Sequence, residues 1–169
     1  GGVGKTTIAR IIYKSVSHLF EGCYFLDNVK EALKNEGLAS LQEKLLTGTL
    51  MKRNIEIPDC DGATLMKRRI SNLKVLIILD DVNHISQLKQ LAGDYDWFQP
   101  GSRVIVTTRD EHLLISHGIE RRYNVEGLNI DEALELFSQK AFREDHSKKG
   151  FFDLSCKVVD YCGGLPLAL

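Results

Sequence analysis

The chain has 169 residues, with 22 Lys and Arg against 23 Asp and Glu and a formal net charge of −1. That balance leaves no basic footprint for nucleic acid or an anionic membrane surface, and no apolar run approaches the length of a membrane span. Hydrophobic content of 43% and charged content of 27% are ordinary for a soluble globular chain of one domain, or one domain and part of another.

Taken in chain order, the first element is Gly1-Gly2-Val3-Gly4-Lys5-Thr6-Thr7. It supplies most of the phosphate-loop pattern G-x-x-x-x-G-K-[ST], with Gly1 at the third position of that pattern. Glycines let successive backbone N–H groups turn inward around phosphate oxygens, and the following helix aims its positive N-terminus at the same oxygens. Lys5 would reach the β- and γ-phosphates, Thr6 would place a hydroxyl on Mg²⁺, and Thr7 enters the helix. The competing interpretation is a Gly-rich turn before an ordinary helix. Ile8, Ile12, Val16 and Leu19 recur at helical spacing after the loop, so an amphipathic helix with that face buried is expected. The chain reads as a piece of a longer protein, starting inside its own loop.

Gly22 and Cys23-Tyr24-Phe25-Leu26 follow as a short strand, then a polar stretch, then a helix marked by Leu38, Leu41, Leu45 and Leu46. Pro58-Asp59-Cys60-Asp61-Gly62 has loop composition, and Leu65 to Leu73 reads as helix. Val75-Leu76-Ile77-Ile78-Leu79 is apolar on both faces and ends in Asp80-Asp81, as a central parallel strand would. Ile85 to Leu91 is a short helix, Trp97 to Gly101 a turn, Arg103 to Arg109 a β-branched strand, and Tyr123-Asn124-Val125 a weaker strand candidate. The alternation predicts an α/β domain with a parallel sheet.

Beyond Gly127 the pattern is helical only. Asn129 and Glu132 form a capping box ahead of Ala133, Leu134, Phe137 and Ala141 on one face. Leu154, Val158 and Cys162 repeat the helical period up to Gly163-Gly164, a C-cap, with Pro166 shortly after. The expected boundaries are 1–126 for an α/β nucleotide-binding core and 127–169 for part of a helical subdomain. Cys23, Cys60, Cys156 and Cys162 form no C-x-x-C pair and read as reduced, mostly buried thiols of an intracellular protein.

A phosphate loop needs a metal partner. Asp80, at the carboxyl end of the most apolar strand, is the candidate for Mg²⁺ together with Thr6. Adjacent Asp81 is the candidate to polarise an attacking water, a catalytic role, or else only tunes the site. Without the loop, a polar strand end or helix cap would explain both carboxylates. Arg109 closes the next apolar strand and would sense the γ-phosphate; the alternative is a surface salt bridge to Asp110 or Glu111. No N-K-x-D guanine-reading segment is present, which favours adenine.

Four segments now stand in order: Gly1 to Thr7, Leu79-Asp80-Asp81-Val82, Gly101 to Arg109, and Gly163-Gly164-Leu165-Pro166-Leu167-Ala168-Leu169. They resemble the P-loop, kinase-2, kinase-3 and GLPL motifs of the NB-ARC domain of plant disease-resistance proteins. Asn83 after the kinase-2 motif, and Phe20 to Val29, resemble the TIR class. The resemblance implies a P-loop NTPase sheet lacking its first strand, followed by the start of the all-α ARC1 subdomain. It implies an ADP/ATP switch of an intracellular immune receptor, cytoplasmic and in some cases also nuclear, with at most slow hydrolysis. Gly1, Gly2, Val3, Gly4, Lys5, Thr6, Thr7, Arg109 and Pro166 would hold nucleotide, with Pro166 near the adenine. Partners implied are TIR and leucine-rich-repeat domains of the parent, and other copies on activation. The chain starts and stops at two family motifs, as a piece amplified between them would. Two other readings stand beside it. One is a constitutive P-loop ATPase or kinase; the other is a non-functional fragment, inactive alone.

Overall fold

The structure, a computed structural model, describes residues 1–51, 62–93, 95–142 and 150–169. The loop expected over Pro58 to Asp61 lies outside them. The described residues fall into two compact units: Thr6–Arg122, and Gly1–Lys5 with Tyr123–Leu169.

The Thr6–Arg122 unit is built on a three-stranded parallel sheet in the order β1-β2-β3, with β1 Gly22–Leu26, β2 Val75–Val82 and β3 Arg103–Thr108. The register pairs Leu26 with Leu79 and Leu79 with Val106, so β2 is central. Every β2 residue except Asp81 is buried, as expected of a strand apolar on both faces. Val75, Ile77 and Leu79 join the main core, while Leu76 and Ile78 are equally buried on the opposite face.

Helices cover the core face. They are α2 Val29–Glu36, α3 Leu38–Leu50, α4 Gly62–Ile70, α5 Ile85–Leu91 and α6 Glu111–Ser116, while α1 Lys5–Val16 lies against Phe25, whose register partner Ile78 is on the opposite face. Leu41, Leu45 and Leu46 of α3, Met66 and Ile70 of α4, and Leu88 and Leu91 of α5 are fully buried together. Close packing of α3 on β1 depends on Gly48, where an added Cβ would lie 2.0 Å from the Tyr24 ring. The stretch expected to be merely polar contains α2, whose Val29 is fully buried and whose Ala32 and Leu33 pack on the core. Three apolar residues among five polar ones carry a helix face too narrow to stand out in sequence.

Three expectations are corrected. The α1 face of Ile8, Ile12, Val16 and Leu19 is not buried: Ala9 is the buried residue of α1, and Ile8, Ile12 and Leu19 are exposed, as is Ile11 at 59%. Periodicity names residues that share a face, but packing decides which side is covered. Here Tyr13 stacks edge-on against Phe25 and Arg10 lies over the same ring, so the helix touches β1 through polar-ended side chains. Tyr123-Asn124-Val125 forms no strand, and Tyr123 is 84% exposed. The weak apolar pair had no neighbouring strand to complete a ladder.

The second correctable face lies in the other unit. There α7 Ile130–Phe142 packs on α8 Phe152–Cys162. The capping box forms: Asn129 N–H donates to Glu132 Oε2 and Glu132 N–H to Asn129 Oδ1, both at 2.9 Å. Ala133 is buried, but Ala141 is exposed. In α8 the buried stripe is Ser155 and Val159, one residue on from the expected one, and Leu154 is 57% exposed. Ser155 tolerates burial because its hydroxyl donates back to Phe151 O at 2.9 Å. Gly163 caps α8 in the left-handed region, at φ 57°.

Candidate functional site

At the carboxyl edge of the sheet, β2 ends in a carboxylate, Asp80, that is only 4% exposed. Two hydroxyls hold it. Thr6 Oγ1, in the first turn of α1, donates to Asp80 Oδ1 at 2.8 Å and reaches Oδ2 at 3.1 Å. Thr107 Oγ1, from β3, donates to Oδ1 at 2.7 Å. Among the described residues no Lys, Arg or His pairs with Asp80. A buried carboxylate held only by neutral donors is short of positive charge.

That donor set fits Mg²⁺. The ion takes oxygen ligands, keeps several waters, and commonly uses one or two carboxylates beside phosphate oxygens. Thr6 and Asp80 provide one hydroxyl and one carboxylate already in contact. Among the described residues no group of three His, Cys, Asp or Glu side chains forms a closed metal cage.

Sequence reading passed over Thr107, yet it joins both carboxylate-bearing residues. Its hydroxyl donates to Asp80 and accepts the Asp81 N–H at 2.9 Å. The ladder needs this help. Register slips between Leu79 and Val82, and Asp81 sits at φ 53°, in a region that non-glycine residues rarely adopt. At this irregular strand end Arg109 Nε lies 3.4 Å from Asp81 Oδ1. A signal was available in sequence: a hydroxyl residue late in the strand beside a carboxylate strand end.

The alternative partners of Arg109 are engaged elsewhere. Asp110 caps α6, accepting the His112 N–H at 2.9 Å, and Glu111 pairs with Arg122 at 3.3 Å. Asn83 has a local task beyond the class it was taken to mark. Its N–H donates to Gln87 Oε1 and its Oδ1 accepts from Gln87 Nε2, both at 2.9 Å, closing the turn from β2 into α5.

In the other unit the glycine loop adopts the backbone that its sequence requires. Gly2 and Gly4 have φ of 82° and 102°. A Cβ on Gly2 would lie 2.8 Å from Leu167 Cβ, and Leu167 N–H donates to Gly2 O at 3.2 Å. Pro166 opens the short 3-10 turn that carries Leu167, so the Gly163-to-Leu169 motif is seated against the glycine loop. Gly1, Val3 and Lys5 belong to this same unit, and Thr7 is an exposed residue of α1. Thr6, Asp80, Asp81 and Arg109 are brought together in the other.

Two ionisable groups nearby are tuned for structural reasons. Burial pushes the Cys23 thiol above its ordinary value, while its Sγ–H donates to Ser17 O at 3.1 Å. Burial, and then the neighbouring Cys23 and Tyr24, likewise raise Tyr13.

Comparison with known proteins adds the following. The family model of the NB-ARC domain matches residues 1–147. Disease resistance protein RPV1 of Vitis rotundifolia is 44% identical over 172 residues, covering the whole of this chain and 12% of that protein. Disease resistance protein RUN1 of the same plant is 44% identical over 172 residues, covering 13% of its length. TMV resistance protein N of Nicotiana glutinosa is 44% identical over 176 residues, covering 15% of its length. The chain therefore spans a small part of each relative. Among the described residues no helix is long and apolar enough to cross a membrane.

Proposed function

The chain belongs to the NB-ARC domain family, a nucleotide-binding family of plant disease-resistance proteins, and from that premise we propose that it is the adenine-nucleotide switch of an intracellular immune receptor of the TIR class. With ADP bound the receptor is held closed. Exchange for ATP after recognition permits assembly with other copies, and slow hydrolysis resets it. The supporting observation is the paired arrangement at the sheet edge: Thr6 and Thr107 on Asp80, and Arg109 on Asp81.

Each residue has a task under this reading. Gly1, Gly2, Val3 and Gly4 present backbone N–H groups, and Lys5 binds the β- and γ-phosphates. Thr6 and Asp80 hold Mg²⁺, with Thr7 completing the first helical turn. Mg²⁺, when bound, would neutralise charge on the phosphate oxygens. Asp81 polarises water, Arg109 senses the γ-phosphate, and Pro166 lies against the adenine. Residues 1–126 form the α/β core and 127–169 part of the helical ARC1 subdomain. TIR and leucine-rich-repeat domains of the parent are its intramolecular partners, in the cytoplasm and in some cases also the nucleus. A constitutive ATPase or kinase draws less support, because the carboxylate that would activate water is engaged by Arg109.

A ligand shifts a two-state equilibrium only through differential affinity, and the γ-phosphate is the group that differs. The test uses the full-length protein that carries this segment. It should purify with adenine nucleotide, and Lys5→Ala should abolish both retention and defence signalling. Purification without nucleotide, and signalling indifferent to Lys5→Ala, would overturn the proposal.

A further inference from the structure

Just beyond Asp80, the strand ends enclose a shallow cleft of about 90 Å³, lined by Asp81, Asn83, Arg109 and Asp110 and, from α2, by Lys30. We infer that Lys30 is a second cation directed at the terminal phosphate, and that with Arg109 it sets the preference for nucleoside triphosphate over diphosphate. The inference rests on the switch reading above and adds a specificity-determining residue to it.

Lys30 is held in position from beneath. Val29, immediately before it, is fully buried in the main core, and Asn28 turns the chain from β1 into α2 in the left-handed region, at φ 45°. The Lys30 side chain stays exposed while its backbone is anchored. Two carboxylates, Asp81 and Asp110, line the same cleft, and neither forms an ion pair with Lys30. Arg109 takes Asp81, and Asp110 is committed to the His112 N–H. Among the described residues no ion pair includes Lys30.

The placement also carries a local cost. A cation in the first turn of a helix opposes the helix dipole, which favours anions there. Asn28 offers no side-chain cap to offset it. Glu31, in the same turn, offsets part of that cost, but Lys30 makes no ion pair among the described residues and so is available to an anionic ligand. An anion entering the cleft would meet Lys30 from α2 and Arg109 from just past the end of β3, both of which line it. Diphosphate lacks the group that would extend this far, so Lys30 would act on ATP and leave ADP nearly untouched.

The experiment measures ATP and ADP affinity of the full-length protein at fixed Mg²⁺, for wild type, Lys30→Gln, Lys30→Arg and Arg109→Gln, at two salt concentrations. Lys30→Gln should weaken ATP roughly tenfold and ADP less than about twofold, as loss of one charge-assisted contact predicts. Lys30→Arg should restore most of the loss, and the salt dependence of ATP binding should fall in Lys30→Gln. An unchanged ATP-to-ADP ratio in Lys30→Gln, with a collapsed ratio in Arg109→Gln, would overturn the role of Lys30 alone. Equal weakening of both nucleotides by Lys30→Gln would do the same. A ratio unchanged in every variant would overturn the switch reading itself.

Discussion

Arg109 reaches back across the sheet edge to Asp81, 3.4 Å from Nε to Oδ1, although two acidic residues follow it directly in sequence. The pair holds the proposed γ-phosphate sensor against the proposed water-activating carboxylate. While they are joined, neither group is free for its task. An exposed pair of this kind is worth about 1 kcal/mol or less, so an incoming phosphate can break it.

Asp81→Asn in the full-length protein is therefore expected to slow single-turnover hydrolysis about a hundredfold and to tighten ATP binding by up to about fivefold. The tightening should vanish in an Arg109→Gln background. If it is equally large there, Asp81 acts on phosphate directly and the pair does not restrain Arg109.

Two Thr→Val substitutions should have opposite signs. Thr107→Val removes the donor to Asp80 and the acceptor for the Asp81 N–H, and should destabilise the sheet edge by about 1–3 kcal/mol. Thr49 is buried on α3 and its hydroxyl has no partner among the described residues, so Thr49→Val should stabilise by about 1 kcal/mol. Hydrogen exchange in peptides from β2, β3 and α3 reads both. Protection changing in the same direction for the two variants would contradict this account.

Gly48→Ala tests the approach of α3 to β1. In an exposed helix the change would gain about 1 kcal/mol. Here the new methyl would meet the Tyr24 ring, and the expected result is a loss of about 1–3 kcal/mol, seen as faster exchange in α3. A stabilised variant would show that the ring has room to move.

The raised Cys23 thiol carries a definite pH signature. Its native state favours the protonated form, so its contribution to stability is complete below the ordinary thiol value of about 8.5 and is lost as pH rises through the folded value. Alkylation of Cys23 by iodoacetamide should have its pH midpoint above that of N-acetylcysteine. A midpoint at or below the free thiol would mean that burial does not govern this group.

Sequence patterns carried the sheet well where side chains dictate the answer. Val75 to Leu79 is apolar on both faces, which leaves a central strand as its natural place, and the Asp80 that ends it lands against Thr6. Asn129 and Glu132 carry their own cap chemistry and formed it. Patterns were least informative where the partner surface decides. The α1 isoleucines and the α8 stripe obey helical spacing, but spacing says nothing of which side is covered. Thr107 and Lys30 escaped notice for a related reason. A threonine in a β-branched strand and a lysine in a polar helix are unremarkable until register and the β1-to-α2 turn set them beside Asp81.

The hydrogen bond from Leu167 to the Gly2 carbonyl has a consequence for how the molecule comes into being. It joins two residues that lie far apart along the sequence. Long-range closures of this kind are costly in chain entropy and form late. The strands and helices between them can assemble while the glycine loop still lacks the segment that seats against it. The seat of the glycine loop is therefore a late product of folding, dependent on a segment far along the chain.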